Sequence, residues 1–453
     1  MTDDQRGTGN VDDRVELATT QDEVEQPPTP GTTPTPQQHF ASRFKGRLVG
    51  IVAPVVTTII AFLIAGAVVA LTGKNPFKVY HAVFNGTGIN WFFHVGNHSA
   101  RIPFSTHHMW FPWDTASVAA GNLQQTLLLT TPIILTALAL SFAFRCGMFN
   151  IGGQGQYLVG TIFAVWLGSS FLGLNPLAHV LLCLVAGTLA GAVWAGIAGI
   201  LKATVGAHEV ISTIMLNWIA VWVGSYLFGQ GGPLQGSQPS IPISNDIAEG
   251  AKLPVFWGIA LLQGLSIGIF IAVGILVVYW LIINRTTLGF EVRAVGFNPE
   301  AARYGGVSVA RNYFLAMAIS GAFAGLAGAL DITGWEYRIG ENDIQASQIG
   351  FIGLAAGLLG RNTALGVGLA SLLFGALING TSGRQLDPSI FRPDLAGNLT
   401  TIIQGLVILF VGLNLGGLAT WFGRRRRRAG RRLDGAPQGA QAPAPPAPER
   451  ESA

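Results

Sequence analysis

Between residues 48 and 418 this chain passes through one apolar run after another, with polar residues gathered in the joints between them. The runs fall at 48–71, 123–144, 157–172, 178–201, 210–228, 256–283, 313–330, 349–359, 364–378 and 399–418. A bilayer core asks for about 20 mostly apolar residues per helix. Several runs are shorter and rich in glycine, as where helices break or pack very closely. Only 11% of residues are charged, against roughly a quarter in a soluble protein. The expectation is an all-α, polytopic membrane helix bundle with about ten transmembrane helices, some of them short or broken.

Basic residues predict the orientation, because they collect on the cytoplasmic side. Arg43, Lys45 and Arg47 precede the first run, and Arg145 follows the second. Arg285, Arg293, Arg303 and Arg311 lie between the sixth and seventh, Arg361 between the eighth and ninth, and an arginine-rich segment at 424–432 after the last. With an even number of spans these all fall on one side. That predicts a multi-pass protein of the plasma (inner) membrane with both termini cytoplasmic. Residues 1–42 are acidic and rich in Pro and Thr, and 423–453 are basic and then rich in Pro and Ala. Both read as disordered tails around a transmembrane domain at 43–422. The arginine segment is expected to anchor on anionic lipid. An acidic tail before a long first run does not make a signal peptide. Cys146 and Cys183 have no metal-type spacing.

Three polar regions stand out. The loop at 72–120 holds His81, His94, His98, His107 and His108 among Trp91, Trp110 and Trp113. Clustered histidines can hold a metal. No fixed ligand spacing appears, so an interfacial aromatic cap is expected and no metal site. The second region is 147–156, GMFNIGGQGQ, which is polar, uncharged and set between two apolar runs. Irregular backbone there must be buried in protein or line a wet cavity. Asn150, Gln154 and Gln156, with Asn217 further on, are candidates to line a solute pathway through uncharged hydrogen bonds. Equally, Asn150 would cap the following helix and the glutamines would bond to neighbouring helices. Glu209 reads as a helix N-terminal charge, and Asp331 as the outer end of the seventh run. The small-residue segments at 186–191 and 320–325 are loosely alike, which weak internal repeats and close helix packing both explain.

The third region is 286–312, TTLGFEVRAVGFNPEAARYGGVSVARN. Asn298 suits an N-cap, Pro299 the first helical position and Glu300 the first turn. Gly305 and Gly306 stop that short helix. Its small residues suit a groove on a partner protein, and an ordinary surface helix fits as well.

Four segments in order carry a resemblance: FNIGGQGQ at 149–156, HEVISTIMLN at 208–217, GFNPEAARYGG at 296–306 and GFIGLAAGLLGRN at 350–362. Together they resemble the integral membrane permeases of ABC importers, in the branch of ribose, branched-chain amino acid and nucleoside permeases. The nucleoside and simple-sugar subgroup is most similar. The likeness covers about residues 48–420 and omits both tails. It implies a transport subunit and no catalytic residues. It implies a cytoplasmic ATP-binding cassette ATPase, a second permease subunit and an extracytoplasmic substrate-binding protein as partners, with membrane lipid and without nucleic acid. The chain would carry no cofactor, ATP and Mg residing on the ATPase. The segment at 66–74 has the wrong spacing for a phosphate-binding loop. Glu291, Asn298, Glu300, Ala301, Ala302, Gly305 and Gly306 would form the ATPase-coupling loop. Two departures are Gln154, where many such permeases carry Glu, and the long His/Trp loop. An ion-coupled secondary transporter is the alternative. It would need carboxylates within the membrane, which the runs all but lack.

Overall fold

Lipid offers the backbone no hydrogen bonds, so an apolar run crosses it as a helix. The computed structural model describes residues 56, 58–101, 108–171, 173–258 and 264–382, with 401, 402, 405, 406 and 409. Both expected tails, the domain limits, the positions of the termini and nearly all of the run at 399–418 lie outside these residues. The helices are α1 (Thr58–Leu71), α2 (Pro76–Thr87), α3 (Val118–Arg145), α4 (Gly153–Ser170), α5 (Pro176–Val205), α6 (Glu209–Phe228) and α7 (Gly268–Arg285). There follow α8 (Thr287–Phe297), α9 (Pro299–Tyr304), α10 (Val309–Asp331), α11 (Glu341–Ala346), α12 (Ile349–Leu359) and α13 (Ala364–Gly380). A π-helical turn, Ile332–Glu336, extends α10.

Among the described residues, five helices are long and apolar enough to cross a membrane: α3, α5, α6, α7 and α10 with its π turn. The runs at 349–359 and 364–378 are shorter helices, α12 and α13, of 11 and 17 residues, and the run at 157–172 lies in the 18-residue α4. At the centre stands α3, with 83% of its most apolar stretch buried, while α6 and α7 reach only 28% and 22% and lie at the rim.

The two look-alike segments turn out to face each other. Helices α5 and α10 meet backbone to backbone. A Cβ added at Gly191 would strike the Gly321 carbonyl, and one at Gly321 would strike the Gly191 carbonyl. Gly325 stands in the same relation to Gly187. Such a seam maximises dispersion contact where apolar lipid supplies no hydrophobic drive.

Several expectations are corrected. The fold is not purely α-helical: antiparallel hairpins form from β1 (Val95–Arg101) with β2 (His108–Trp113), and from β3 (Val255–Trp257) with β4 (Leu265–Ser266). The sixth run therefore starts its helix at Gly268 and not near 256. Hydropathy alone does not separate a short buried strand from a helix. The described residues of the loop at 72–120 gather around Trp91, which is buried. Trp91 packs on Trp113 and Trp257 at ring separations of 5.5 and 5.1 Å and donates to the Asp114 carbonyl at 2.7 Å. Among the described residues, no three His, Cys, Asp or Glu side chains cluster as metal ligands.

Candidate functional site

The third apolar run begins its helix earlier than its hydropathy suggests, so the joint at 147–156 is half loop and half helix. After α3 the chain turns through Gly147, whose φ of +74° suits glycine, and enters α4 at Gly153. The first N–H groups of a helix lack internal acceptors. The N-cap, Gly152, has no side chain to serve them. The acceptor comes from another helix instead: Asn217 of α6 takes the Gly155 N–H on Oδ1 at 2.8 Å and donates Nδ2 to the Ile151 carbonyl at 3.0 Å. Gln154 does the same for α12, its Oε1 accepting the Gly350 N–H at 2.7 Å. Asn150 and Gln156 exchange both amide hydrogen bonds, at 2.9 and 3.0 Å. Asn150 also donates to Ser320 Oγ of α10 at 2.7 Å and accepts the Gly152 N–H at 2.9 Å. So Asn150 supports the helix start without being its N-cap.

All four candidate pathway residues are thus brought together, each at most 5% exposed. They join α4 to α6, α10 and α12 through neutral amides. Their hydrogen bonds are taken up by protein groups, with one exception: Gln154 Nε2 has no partner. A solute reaching this cluster would find that donor free and would have to displace the others.

The segment at 286–312 is not a loop with one short helix but two helices, α8 and α9. Thr286 caps α8 by accepting the Gly289 N–H at 3.1 Å. Asn298 caps α9 as expected, accepting the Ala301 N–H at 3.0 Å. The helix ends at Gly305, and Gly306 takes the left-handed turn at φ +81°. The seven expected coupling residues divide. Asn298, Glu300, Ala301, Gly305 and Gly306 are exposed. Ala302 is buried against the chain itself, and Glu291 accepts a hydrogen bond from Asn312 Nδ2 of α10 at 3.0 Å. Those two hold the helices in place and do not face outward. Phe297 and Tyr304, 92% and 93% exposed, stand at either end of α9 and were not anticipated. An aromatic residue flanking each end of a capped turn was the available signal.

This helical pair rests directly on the joint. A Cβ on Gly296 would strike the Arg145 carbonyl, and one on Gly147 would lie 3.3 Å from Gly296 Cα. Burial pushes the neighbouring Cys146 thiol up to about 12, so it stays protonated and donates to the Asn312 carbonyl at 3.7 Å. On the other side Arg145 donates to the Asn362 carbonyl at 2.7 Å. The four motifs, scattered over the sequence, therefore converge on one body. Glu209, in the first turn of α6, pairs with Lys202 at 2.9 Å.

Asp331 ends α10 and is buried there. It is 1% exposed within an apolar helix, accepting from Tyr157 Oη of α4 at 2.6 Å and from Trp335 Nε1 at 2.8 Å. The apolar run at 313–330 is thus followed at once by a buried carboxyl group.

Residues 122–412 match the family described as branched-chain amino acid transport system / permease component, an interval that includes all four motifs. The chain belongs to this permease family. Among its relatives, the guanosine ABC transporter permease protein NupP of Bacillus subtilis (strain 168) is 42% identical over 290 residues, covering 63% of this chain and 80% of the relative. The nucleoside ABC transporter permease protein NupB of Lactococcus lactis subsp. cremoris (strain MG1363) is 31% identical over 374 residues, 80% of this chain and 91% of the relative. The glucose ABC transporter permease protein TsgB13 of Haloferax volcanii is 35% identical over 297 residues, 64% and 76% respectively. No solved structure matches the chain.

Proposed function

We propose that this permease carries nucleosides, or simple sugars, inward across the plasma membrane, powered by ATP hydrolysis on a separate cytoplasmic ATPase. The observation that carries this reading is the direct seating of the α8–α9 pair on the polar joint. A force applied to α9 reaches Gly147 through Gly296 without passing through a flexible side chain. Phe297 and Tyr304 are the anchors offered to the ATPase, with Asn298, Glu300, Ala301, Gly305 and Gly306 forming the surface between them. ATP and Mg belong to that partner. A second permease subunit completes the pathway, and an extracytoplasmic binding protein delivers the solute. The arginine bias supports about ten spans with both termini cytoplasmic.

Neutral amides at Asn150, Gln154, Gln156 and Asn217 fit a polar, uncharged solute, and the relatives named for guanosine, nucleosides and glucose favour that class. Ligand drives the transport cycle only by contacting its states unequally. The unpaired Gln154 Nε2 is the contact available for that purpose. The test is reconstitution with the ATPase, the binding protein and the second permease. Tyr304→Ala with Phe297→Ala should weaken ATPase association by about tenfold or more, the loss expected of aromatic anchors, and should abolish ATP-driven guanosine uptake. Unchanged association and uptake would overturn the proposal.

A further inference from the structure

A cavity of about 550 Å³ lies between α2 and the first turn of α3, lined by Phe77, Lys78, His81, Asn85, Val118 and Asn122 among others. It is remote from the polar joint, and the transport reading makes no use of it. Its depth in the bilayer follows from α3. That helix has 28 residues and is about 42 Å long at 1.5 Å per residue. The hydrocarbon core measures about 30 Å, and about 40–45 Å with the headgroup layers. Val118, the first residue of α3, therefore lies among the headgroups, and so does the cavity beside it.

The lining matches that depth. Lys78 is exposed and, among the described residues, forms no ion pair. His81 sits one turn on, its Nδ1 3.2 Å from Asn85 Nδ2. Asn122 Nδ2 closes the inner end by donating to the Asn85 carbonyl at 3.0 Å. No acidic side chain lines the cavity. At its mouth, Phe77 and Val118 are 83% and 82% exposed, with Leu71 of α1 87% exposed nearby in sequence. A cation and amides within, and bare apolar side chains at the rim, form an amphipathic receptor.

We infer that this cavity holds the headgroup of an anionic phospholipid, its phosphate at Lys78 and its acyl chains against Phe77 and Val118. Charge complementarity selects anionic over zwitterionic lipid, since a basic group at the membrane surface attracts anionic lipid. The inference requires only that α3 spans the membrane and is independent of what is transported.

The full chain is placed in nanodiscs of equal parts phosphatidylglycerol and phosphatidylcholine. Lipid retained after detergent extraction is then counted by native mass spectrometry. Wild-type protein should keep phosphatidylglycerol in preference to phosphatidylcholine. Lys78→Gln should lower that retention about fivefold, the loss of one basic group at the surface, and Lys78→Arg should restore it. Glycerol phosphate alone should not displace the lipid, because it lacks the chains that cover Phe77. Equal retention of the two lipids by wild-type protein would overturn the proposal, an outcome that does not depend on the variants folding. Undiminished retention by Lys78→Gln would do the same. Displacement by guanosine would reassign the cavity to solute.

Discussion

Gly147 and Gly296 touch backbone to backbone, with 3.3 Å between a Cβ built on the first and the Cα of the second. One ends the central helix α3 and the other lies at the end of α8. No side chain cushions the contact, so displacement of one strand of chain displaces the other. The relation gives a mechanical reason for two motifs more than a hundred residues apart to occur together.

Gly296→Val should separate the two. Its side chain would meet the Arg145 carbonyl, and overpacking of this kind costs about 1–3 kcal/mol. Substrate-stimulated ATP turnover of the assembled complex should fall far more than basal turnover. Cys146 gives a second readout. Held protonated and buried in the native protein, it should resist maleimide at neutral pH and label faster in the variant. Equal labelling and full coupling would show that the contact transmits nothing.

Removing the Tyr157 hydroxyl should expose the cost of burying Asp331. Tyr157→Phe leaves the carboxylate with one donor, Trp335 Nε1, and an unsatisfied buried group costs about 1–3 kcal/mol, more when charged. The thermal midpoint of the purified protein should drop in Tyr157→Phe and in Asp331→Leu. Asp331→Asn should lie between Asp331→Leu and the native protein, because its one amide oxygen still accepts from Trp335 Nε1 while its NH2 group can donate to the Tyr157 hydroxyl. A midpoint equal for all three variants and the native protein would count against the pairing.

Gln154 separates support from transport. Gln154→Glu keeps an acceptor for the Gly350 N–H, whereas Gln154→Leu strands it at a cost of about 1–3 kcal/mol. Both variants bury an unsatisfied group, so the comparison is read on uptake: Glu keeps the acceptor for α12 and loses only the Nε2 donor. If Glu leaves guanosine uptake intact, the unpaired Nε2 donor is dispensable for the solute.

The glycine seam should tolerate no side chain. Gly321→Leu or Gly191→Leu would push α5 and α10 apart by the width of a side chain. Expression as folded protein, judged by monodisperse gel filtration, should be lost. Gly274→Ala on rim helix α7, where nothing lies within 4 Å of an added Cβ, is the control and should behave as native.

Much of this was legible from sequence. The Asn298 cap and the helices beginning at Ile349 and Ala364 follow from local chemistry: a capping side chain, a proline at the first position, a break in hydropathy. Helix α8 was not legible, because Gly289 and Gly296 weaken its pattern, and both are glycine for tertiary reasons. Gly296 lies on the Arg145–Gly147 turn, and a Cβ at Gly289 would strike the Ile282 carbonyl. At the site, the residue types of the polar joint were recognisable, but their partners were not. Asn217 serving Gly155, Gln154 serving Gly350 and Tyr157 serving Asp331 are pairings across helices that no local pattern encodes.

The seam between α5 and α10 also imposes an order on biosynthesis. Helix α5 enters the membrane with its glycine face complete, but the α10 glycines that meet Gly187 and Gly191 are made after α6, α7, α8 and α9. At ordinary translation rates the wait is on the order of ten seconds. Throughout it, the nascent α5 presents a groove to lipid or to whatever accompanies the chain during insertion. The native packing of α5 is therefore a late event, completed only when α10 arrives.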